Sequence, residues 1–376
     1  MTPRIIAFYL PQFHPIPEND VWWGKGFTEW TNVARAKPLF QGHYQPHVPA
    51  DLGFYDLRMC ETRSAQAELA REYGIEGFCY WHYWFEGKRL LERPFDEVLT
   101  SGEPDFQFCL AWANESWSRR WLGEEKEILQ KQTYSEEDDI HHIRWLIKAF
   151  ADRRYLRVNG RPLLLVYRPA DLPDPKRTTD VWREGCSRHG LAEPYLLGVN
   201  AHCAFLDCRT LGFDGTLNFE PQLGALPEFM NDAPSLFKFR RNRMLGVRSL
   251  RLKLYDYAEA RQLMRNQKKE FPTMPSIFVG WDNTPRRGRN GIVVVNATPR
   301  RFEEGLAEMV HEVQHRPYEE RLIFINAWNE WAEGNYLEPD LKYGRGYLEA
   351  VRRAVTNSKI NDRAPELISL GLKGGA

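Results

Sequence analysis

The 376-residue sequence has no surplus of either charge, since Lys+Arg and Asp+Glu number 51 each. Without a net field it carries no electrostatic footprint for nucleic acid or for an anionic membrane surface. Cysteine is scarce: Cys60, Cys79, Cys109, Cys186, Cys203 and Cys208 form neither a C-x-x-C pair nor a Cys/His zinc spacing. Cys79 and Cys109 lie inside apolar runs and read as small buried hydrophobes. No apolar run approaches the ~20 residues that a membrane span requires. The chain opens Met1-Thr2-Pro3-Arg4 and enters a strand at once, with no secretory h-region, so a reducing cytoplasm is the expected location. No G-x-G-x-x-G or G-x-x-x-x-G-K-[ST] follows a strand candidate, and no D-x-D occurs. The sequence signals for dinucleotides, P-loop nucleotides and a metal-assisted sugar-nucleotide site are therefore missing. No cofactor and no metal are expected.

What the chain does have is aromatic surface, with 13 Trp, 16 Tyr and 21 Phe, and the Trp residues gather near the ends of apolar runs. Strand candidates are Ile5–Tyr9, Gly77–Trp81, Phe106–Ala111, Leu163–Tyr167, Tyr195–Val199, Gly215–Phe219, Ser276–Gly280 and Leu322–Asn326. Helical periodicity follows at Asp56–Tyr73, Leu90–Thr100, Ser135–Ala151, Thr178–His189, Ala204–Leu211, Tyr255–Lys269, Arg301–His315 and Gly346–Thr356. Eight strands, each followed by a helix, predict an α/β fold, a single (β/α)8 TIM-type barrel. A doubly wound open sheet would gather its chemistry at one switch point, whereas here acidic and aromatic residues recur after most strands. The barrel is expected over 1–357, with long βα loops after the first strand (about 11–52) and the sixth (about 221–253), and a loose tail over 358–376. The second loop carries Lys238, Arg240, Arg241, Arg243, Arg248, Arg251 and Lys253. It reads as a solvated helical insertion, and its sharper reading is a clamp for an anionic or lipid-linked glycan.

In a barrel the residues just past each strand converge on one face. They are Tyr9, Gln12 and His14; Trp81, His82, Tyr83 and Trp84; Trp112, Asn114, Glu115 and Trp117; Tyr167; Asn200; Asn218 and Glu220; Trp281, Asp282 and Asn283; then Asn326, Trp328, Asn329, Glu330 and Glu333. The richest segment is Phe324-Ile325-Asn326-Ala327-Trp328-Asn329-Glu330-Trp331-Ala332-Glu333-Gly334, a buried strand ending in two carboxylates three residues apart. Paired acids beside indole surface suit sugar chemistry: one protonates a leaving oxygen, the other acts as base, and flat rings stack on pyranose faces. If the chain turns helically after Asn329, the two glutamates share a face with Cβ atoms about 5–6 Å apart. Asn326 and Asn329 would hold sugar hydroxyls or orient a carboxylate. An oligo- or polysaccharide is the expected partner.

Several of these residues also have plainer roles. His82 suits a hydrogen-bonded core histidine. Glu115 suits a helix cap or a partner for Arg119 or Arg120. Asp282 begins Asp-Asn-Thr-Pro, which is turn chemistry. Glu29, inside the first long loop, suits a solvent-facing position.

Five motifs in order resemble the WbsX-like family, whose members are commonly labelled glycosyltransferases of bacterial O-antigen and polysaccharide clusters. They are Phe8-Tyr9-Leu10-Pro11-Gln12-Phe13-His14, Gly26-Phe27-Thr28-Glu29-Trp30, Trp81-His82-Tyr83-Trp84-Phe85, Ala113-Asn114-Glu115 and Asn329-Glu330-Trp331-Ala332-Glu333-Gly334. The resemblance runs from Ile5 to about Val355. A narrower similarity, resting on the E-W-x-E-G element and the barrel, links the chain to glycoside hydrolase family 99, endo-acting on α-mannosides. That resemblance implies Glu330 as base on the sugar's own 2-hydroxyl and Glu333 as general acid, through a 1,2-anhydro sugar with net retention. Ala332 stands where those hydrolases usually carry His. Three readings follow: a retaining endo-glycosidase, a glycosyltransferase of surface-polysaccharide synthesis, and a non-catalytic glycan-binding barrel.

Overall fold

A computed structural model describes residues 2–119, 124–201, 206–227, 252–267 and 270–356. At its centre run eight strands: β1 (Arg4–Tyr9), β2 (Gly77–Phe85), β3 (Gln107–Trp112), β4 (Arg161–Val166), β5 (Tyr195–Asn200), β6 (Gly215–Asn218), β7 (Met274–Phe278) and β8 (Leu322–Asn326). Each pairs in parallel with the next. β8 returns to β1 through Arg4↔Leu322 to Ala7↔Ile325, so the sheet closes. The expected eight-stranded barrel is the fold, with β2 running on to Phe85, where it pairs with Lys88–Leu90.

The outer layer contains α1 (Cys60–Glu72), α2 (Arg93–Ser101), α3 (Glu136–Phe150), α4 (Pro175–Arg188), α5 (Tyr257–Arg265), α6 (Pro299–Val313) and α7 (346–356). Their starts follow capping chemistry. Ser135 accepts from the Asp138 amide ahead of α3, whose first turn holds Glu136, Glu137, Asp138 and Asp139 against the positive helix end. Asp174 and Thr298 cap α4 and α6, each with a proline at the first helical position, where no amide is needed. Between β5 and β6 the expected helix Ala204–Leu211 is, within the described residues, a single 3-10 turn, Cys208–Leu211. It lies hard against β5: a Cβ on Gly198 would stand 2.5 Å from the Cys208 Sγ.

Period-two alternation sorts the strand residues between the barrel interior and the helix layer. Phe8 points inward, its ring 4.9 Å from Trp81, 5.0 Å from Phe219 and 5.7 Å from Phe324 across the barrel. Tyr9, its neighbour, points outward against Phe78 and Tyr80 and donates to Gln66 of α1 at 2.7 Å. The long first loop carries two short helices, Pro17–Trp23 and Glu29–Arg35, and folds over the barrel mouth. In the second loop Lys238, Arg240, Arg241, Arg243, Arg248 and Arg251 lie outside the described residues, as does the 358–376 tail. Lys253 opens a strand, Lys253–Asp256, that pairs with Ile292–Val295 and through it with Trp281–Asp282.

Candidate active site

The Asn-Glu-Trp-Ala-Glu-Gly segment does not continue β8 into an α-helix. Asn329–Glu330 pairs antiparallel with Asn335–Tyr336, and the chain between them is a 3-10 turn, Trp331–Glu333. Residues three apart eclipse in 3-10 geometry, so Glu330 and Glu333 still project from one face. Gly334 closes the turn at φ 58, and a Cβ there would meet the Asp282 Cβ at 3.0 Å. The glycine is needed both for the left-handed backbone and for this close approach. Trp331 fixes the turn from behind, stacked on Tyr336 with ring centroids 3.8 Å apart and donating to Glu338 at 2.6 Å. Glu338 also accepts from Gln66 at 2.6 Å and Tyr55 at 2.8 Å. Burial pushes this carboxyl up to about 7 against the pull of those donors.

Both glutamates meet one arginine. Arg286 places Nη1 2.5 Å from Glu333, Nη2 3.2 Å from Glu330 and Nε 3.1 Å from Glu29. All four side chains are largely out of water: 8% exposed for Arg286, 0% for Glu29, 12% for Glu330 and 21% for Glu333. Burial pushes Glu330 up to about 8, with Glu333 and Glu29 adding to the rise and Arg286 opposing it. Glu333 is also raised, by burial first. Three acids share one guanidinium, so ionisation of either member of the pair opposes ionisation of the other. Burial likewise pushes the Tyr83 phenol well up, and the facing Glu330 adds to it.

The pair lies in a cleft of about 380 Å³ at the C-terminal mouth of the barrel. Trp81, Tyr83, Trp117, Tyr167, Phe219 and Trp281 give it aromatic walls. Trp81 stacks on Phe8 below it and meets Tyr167 edge-on at 5.3 Å. Of the residues picked from the sequence, the cleft brings together Gln12, Trp81, Tyr83, Glu115, Trp117, Tyr167, Trp281, Asn283, Asn326, Glu330 and Glu333. Glu115 pairs across the mouth with Arg168 at 2.8 Å, Arg119 pairs with Glu127 instead, and Arg120 lies outside the described residues.

The others do not line it, for identifiable reasons. Alternation turns His82 and Trp84 away from Trp81 and Tyr83. His82 packs flat on Trp145 at 4.7 Å and meets His142 at 3.0 Å, while Trp84 donates to Asp138. Trp112 alternates outward too, against His142 and Trp182, and Tyr9 against α1. His14 is buried on its own loop, 2.9 Å from the Pro11 carbonyl, and Trp328 is buried against Phe78. Asn114 and Asn329 act as extra peptide groups. Asn114 accepts from the Arg168 amide at 2.7 Å and donates to its carbonyl at 2.8 Å, and Asn329 does the same with Leu10 at 2.7 and 3.0 Å. Each stitches neighbouring strands together just past their ends. Asn200 donates to the Leu206 carbonyl, and the Glu220 backbone is held by Ser276 and Asn326 behind the wall. Asp282 is the turn former: one oxygen accepts from the Thr284 amide and hydroxyl, the other from His43 and Gln45.

Sequence reasoning missed Arg286 and misplaced Glu29, which is fully buried instead of facing solvent. Arg286 stands two residues beyond the turn-forming Thr284, and an arginine pair directly after a strand-end turn in an acid-rich mouth was its available signal. Trp23, Phe219 and Arg287 also line the cleft. Among the described residues no group of three or more His, Cys, Asp and Glu could hold a metal ion, and no helix is long and apolar enough to cross a membrane.

A family model described as "Glycosyltransferase WbsX" matches residues 5–351. The chain is 44% identical over 371 residues to "Uncharacterized protein WxcX" from two strains of Xanthomonas campestris pv. campestris, an alignment covering 98% of this chain and 52% of the relative. It thus spans about half the length of the curated relatives it matches. Among solved structures, the GH99 endo-alpha-mannosidase from Bacteroides thetaiotaomicron, alone or with Bis-Tris propane, aligns at TM-score 0.56 and 15% identity, covering 96% of this chain and 98% of that one. A "glycoside hydrolase-like protein" aligns at TM-score 0.55 and 12% identity over 94% of each chain. At these identities the likeness speaks for the barrel fold.

Proposed function

The chain belongs to the glycosyltransferase WbsX family, and from that premise we propose that it breaks or remakes a glycosidic bond with retention, using Glu330 and Glu333. The observation that carries this reading is the carboxyl pair on one buried arginine, opening into an aromatic-walled cleft at the barrel mouth. A saccharide ring stacked in the cleft would lie against carboxyls that burial has pushed toward neutral pH, where acid and base catalysis are both efficient. Following the family resemblance, Glu330 would take the proton of the sugar 2-hydroxyl, whose oxygen attacks the anomeric carbon. Glu333 would protonate the departing oxygen, and opening of the 1,2-anhydro sugar by an acceptor hydroxyl restores the configuration. Burial acts most strongly on Glu330 in the free protein, so in this scheme the proton must pass from Glu330 to Glu333 before the bond breaks.

Hydrolysis passes the glycosyl group from a glycan to water, whereas the transferase would pass it from a sugar nucleotide to a sugar hydroxyl, with the nucleotide as leaving group. The family's description favours transfer as the second reading. One experiment separates them: incubation with α-mannans and O-antigen oligosaccharides, with and without sugar nucleotides, followed by mass and anomeric NMR. Cleavage without nucleotide supports the hydrolase, and strict nucleotide dependence replaces it with the transferase. Glu330→Gln and Glu333→Gln should each lower turnover by about 10²–10⁴ while binding persists. Unchanged turnover in either variant would sink the assignment, and absence of any turnover in the wild type would leave a glycan-binding barrel.

A further inference from the structure

The Gly26-Phe27-Thr28-Glu29-Trp30 motif has no part in the chemistry above, yet it is built into the site. Glu29 opens the helix Glu29–Arg35 and is fully buried without lining the cleft. Its helix is anchored on both sides: the Trp30 indole donates to the Tyr55 carbonyl at 2.7 Å, and the Trp30 ring lies 5.6 Å from Trp331. One Glu29 oxygen holds the Arg286 Nε at 3.1 Å, and the other is buried with no hydrogen-bond partner among the described residues. Arg286 therefore has its Nε edge fixed from behind, which leaves Nη1 and Nη2 aimed at Glu333 and Glu330.

Resting on the proposed role of that pair, we propose that Glu29 is a positioning residue which, through Arg286, keeps one proton on Glu330 and Glu333. The charges require this. With the pair and Glu29 all ionised, three negative charges would face one guanidinium out of water, an arrangement that proton uptake relieves. The other groups facing the pair do not supply that relief. Tyr83 from β2 presents a phenol and Glu115 after β3 has its charge taken by Arg168; Arg287 also lines the cleft, but Arg286 is the cation in contact with both glutamates. Glu29 is the negative charge that occupies Arg286 from outside the cleft, and it weakens the arginine's hold on the pair.

The test is a side-chain carboxyl titration by ¹³C NMR of Glu-labelled full-length protein, without substrate, alongside the pH dependence of kcat/KM. Glu29→Gln keeps an oxygen for the Arg286 Nε but removes the charge. It should lower the titration midpoint of the pair by about one pH unit or more, and move the basic limb of the rate profile down with it. Should Glu29→Gln fail to fold, Glu29→Met removes the charge at similar volume and must lower the midpoint in the same direction. An unmoved midpoint in either folded variant overturns the proposal. The titration decides it even in a protein that turns over nothing, whereas full activity in Glu330→Gln would sink the catalytic reading and leave the titration result standing.

Discussion

Replacing Glu338 by Gln removes the charge, and keeps the shape, of the carboxyl that pins Trp331 between Glu330 and Glu333. Glu338 is buried and accepts from Trp331, Gln66 and Tyr55, yet burial holds it near 7 rather than the ordinary 4.5. Raising a carboxyl by that much corresponds to about 3 kcal/mol. The sign follows from linkage: a carboxyl raised on folding contributes stability that is fully present below its unfolded value and is lost as pH rises through its folded value. Wild-type stability should therefore fall by about 3 kcal/mol from this group between roughly pH 4.5 and pH 8. Gln resembles the protonated acid and does not titrate. Near pH 5 the variant should be the less stable protein, by about 1–2 kcal/mol for its imperfect fit to three donors. Toward pH 8 that gap should close or invert. Other titrating groups, including Asp139 at about 6, change little between the two proteins and cancel in the difference. Urea unfolding of both proteins across this range measures it. A deficit that stays constant or grows with pH would refute the reasoning, because it would mean that the three donors hold Glu338 ionised.

Arg286→Gln should cost about 3–5 kcal/mol by leaving buried carboxylates without their counter-charge, and the loss should deepen as pH rises and they ionise; a pH-independent deficit in urea unfolding would contradict this. Trp81→Leu should weaken glycan binding about tenfold through lost ring stacking, whereas His82→Gln, behind the sheet, should lower the unfolding midpoint and leave affinity unchanged. Calorimetric titration reads both, and equal effects on affinity would contradict the inward and outward assignment of β2. Gly334→Ala should cost roughly 1–2 kcal/mol for its left-handed backbone, and by crowding Asp282 it should displace Glu333 and lower turnover. Wild-type kinetics in that variant would show that the turn tolerates a Cβ.

The eight strands were legible because each is a short apolar run bounded by polar or turn residues, and a buried parallel strand needs nothing subtler. Glu330 and Glu333 were legible because they follow β8 directly, at a spacing that shares a face in either α or 3-10 geometry. The tetrapeptide Trp81-His82-Tyr83-Trp84 was only half legible. Four candidate residues in a row on a strand cannot all face one cleft, and period two alone would have divided them. The strand-end asparagines misled for a different reason: an amide suited to a sugar hydroxyl is equally suited to a neighbouring backbone, and Asn114 and Asn329 are used that way.

By itself the sequence determined the barrel and the place of the two proposed acids just past its last strand, since these depend on local periodicity and on position along the strands. Only the tertiary structure decided that Glu29 and Arg286, 257 positions apart in the chain, meet on those acids. Ion pairing out of water depends on which loops fold over the same mouth, and nothing in the spacing along the chain records that.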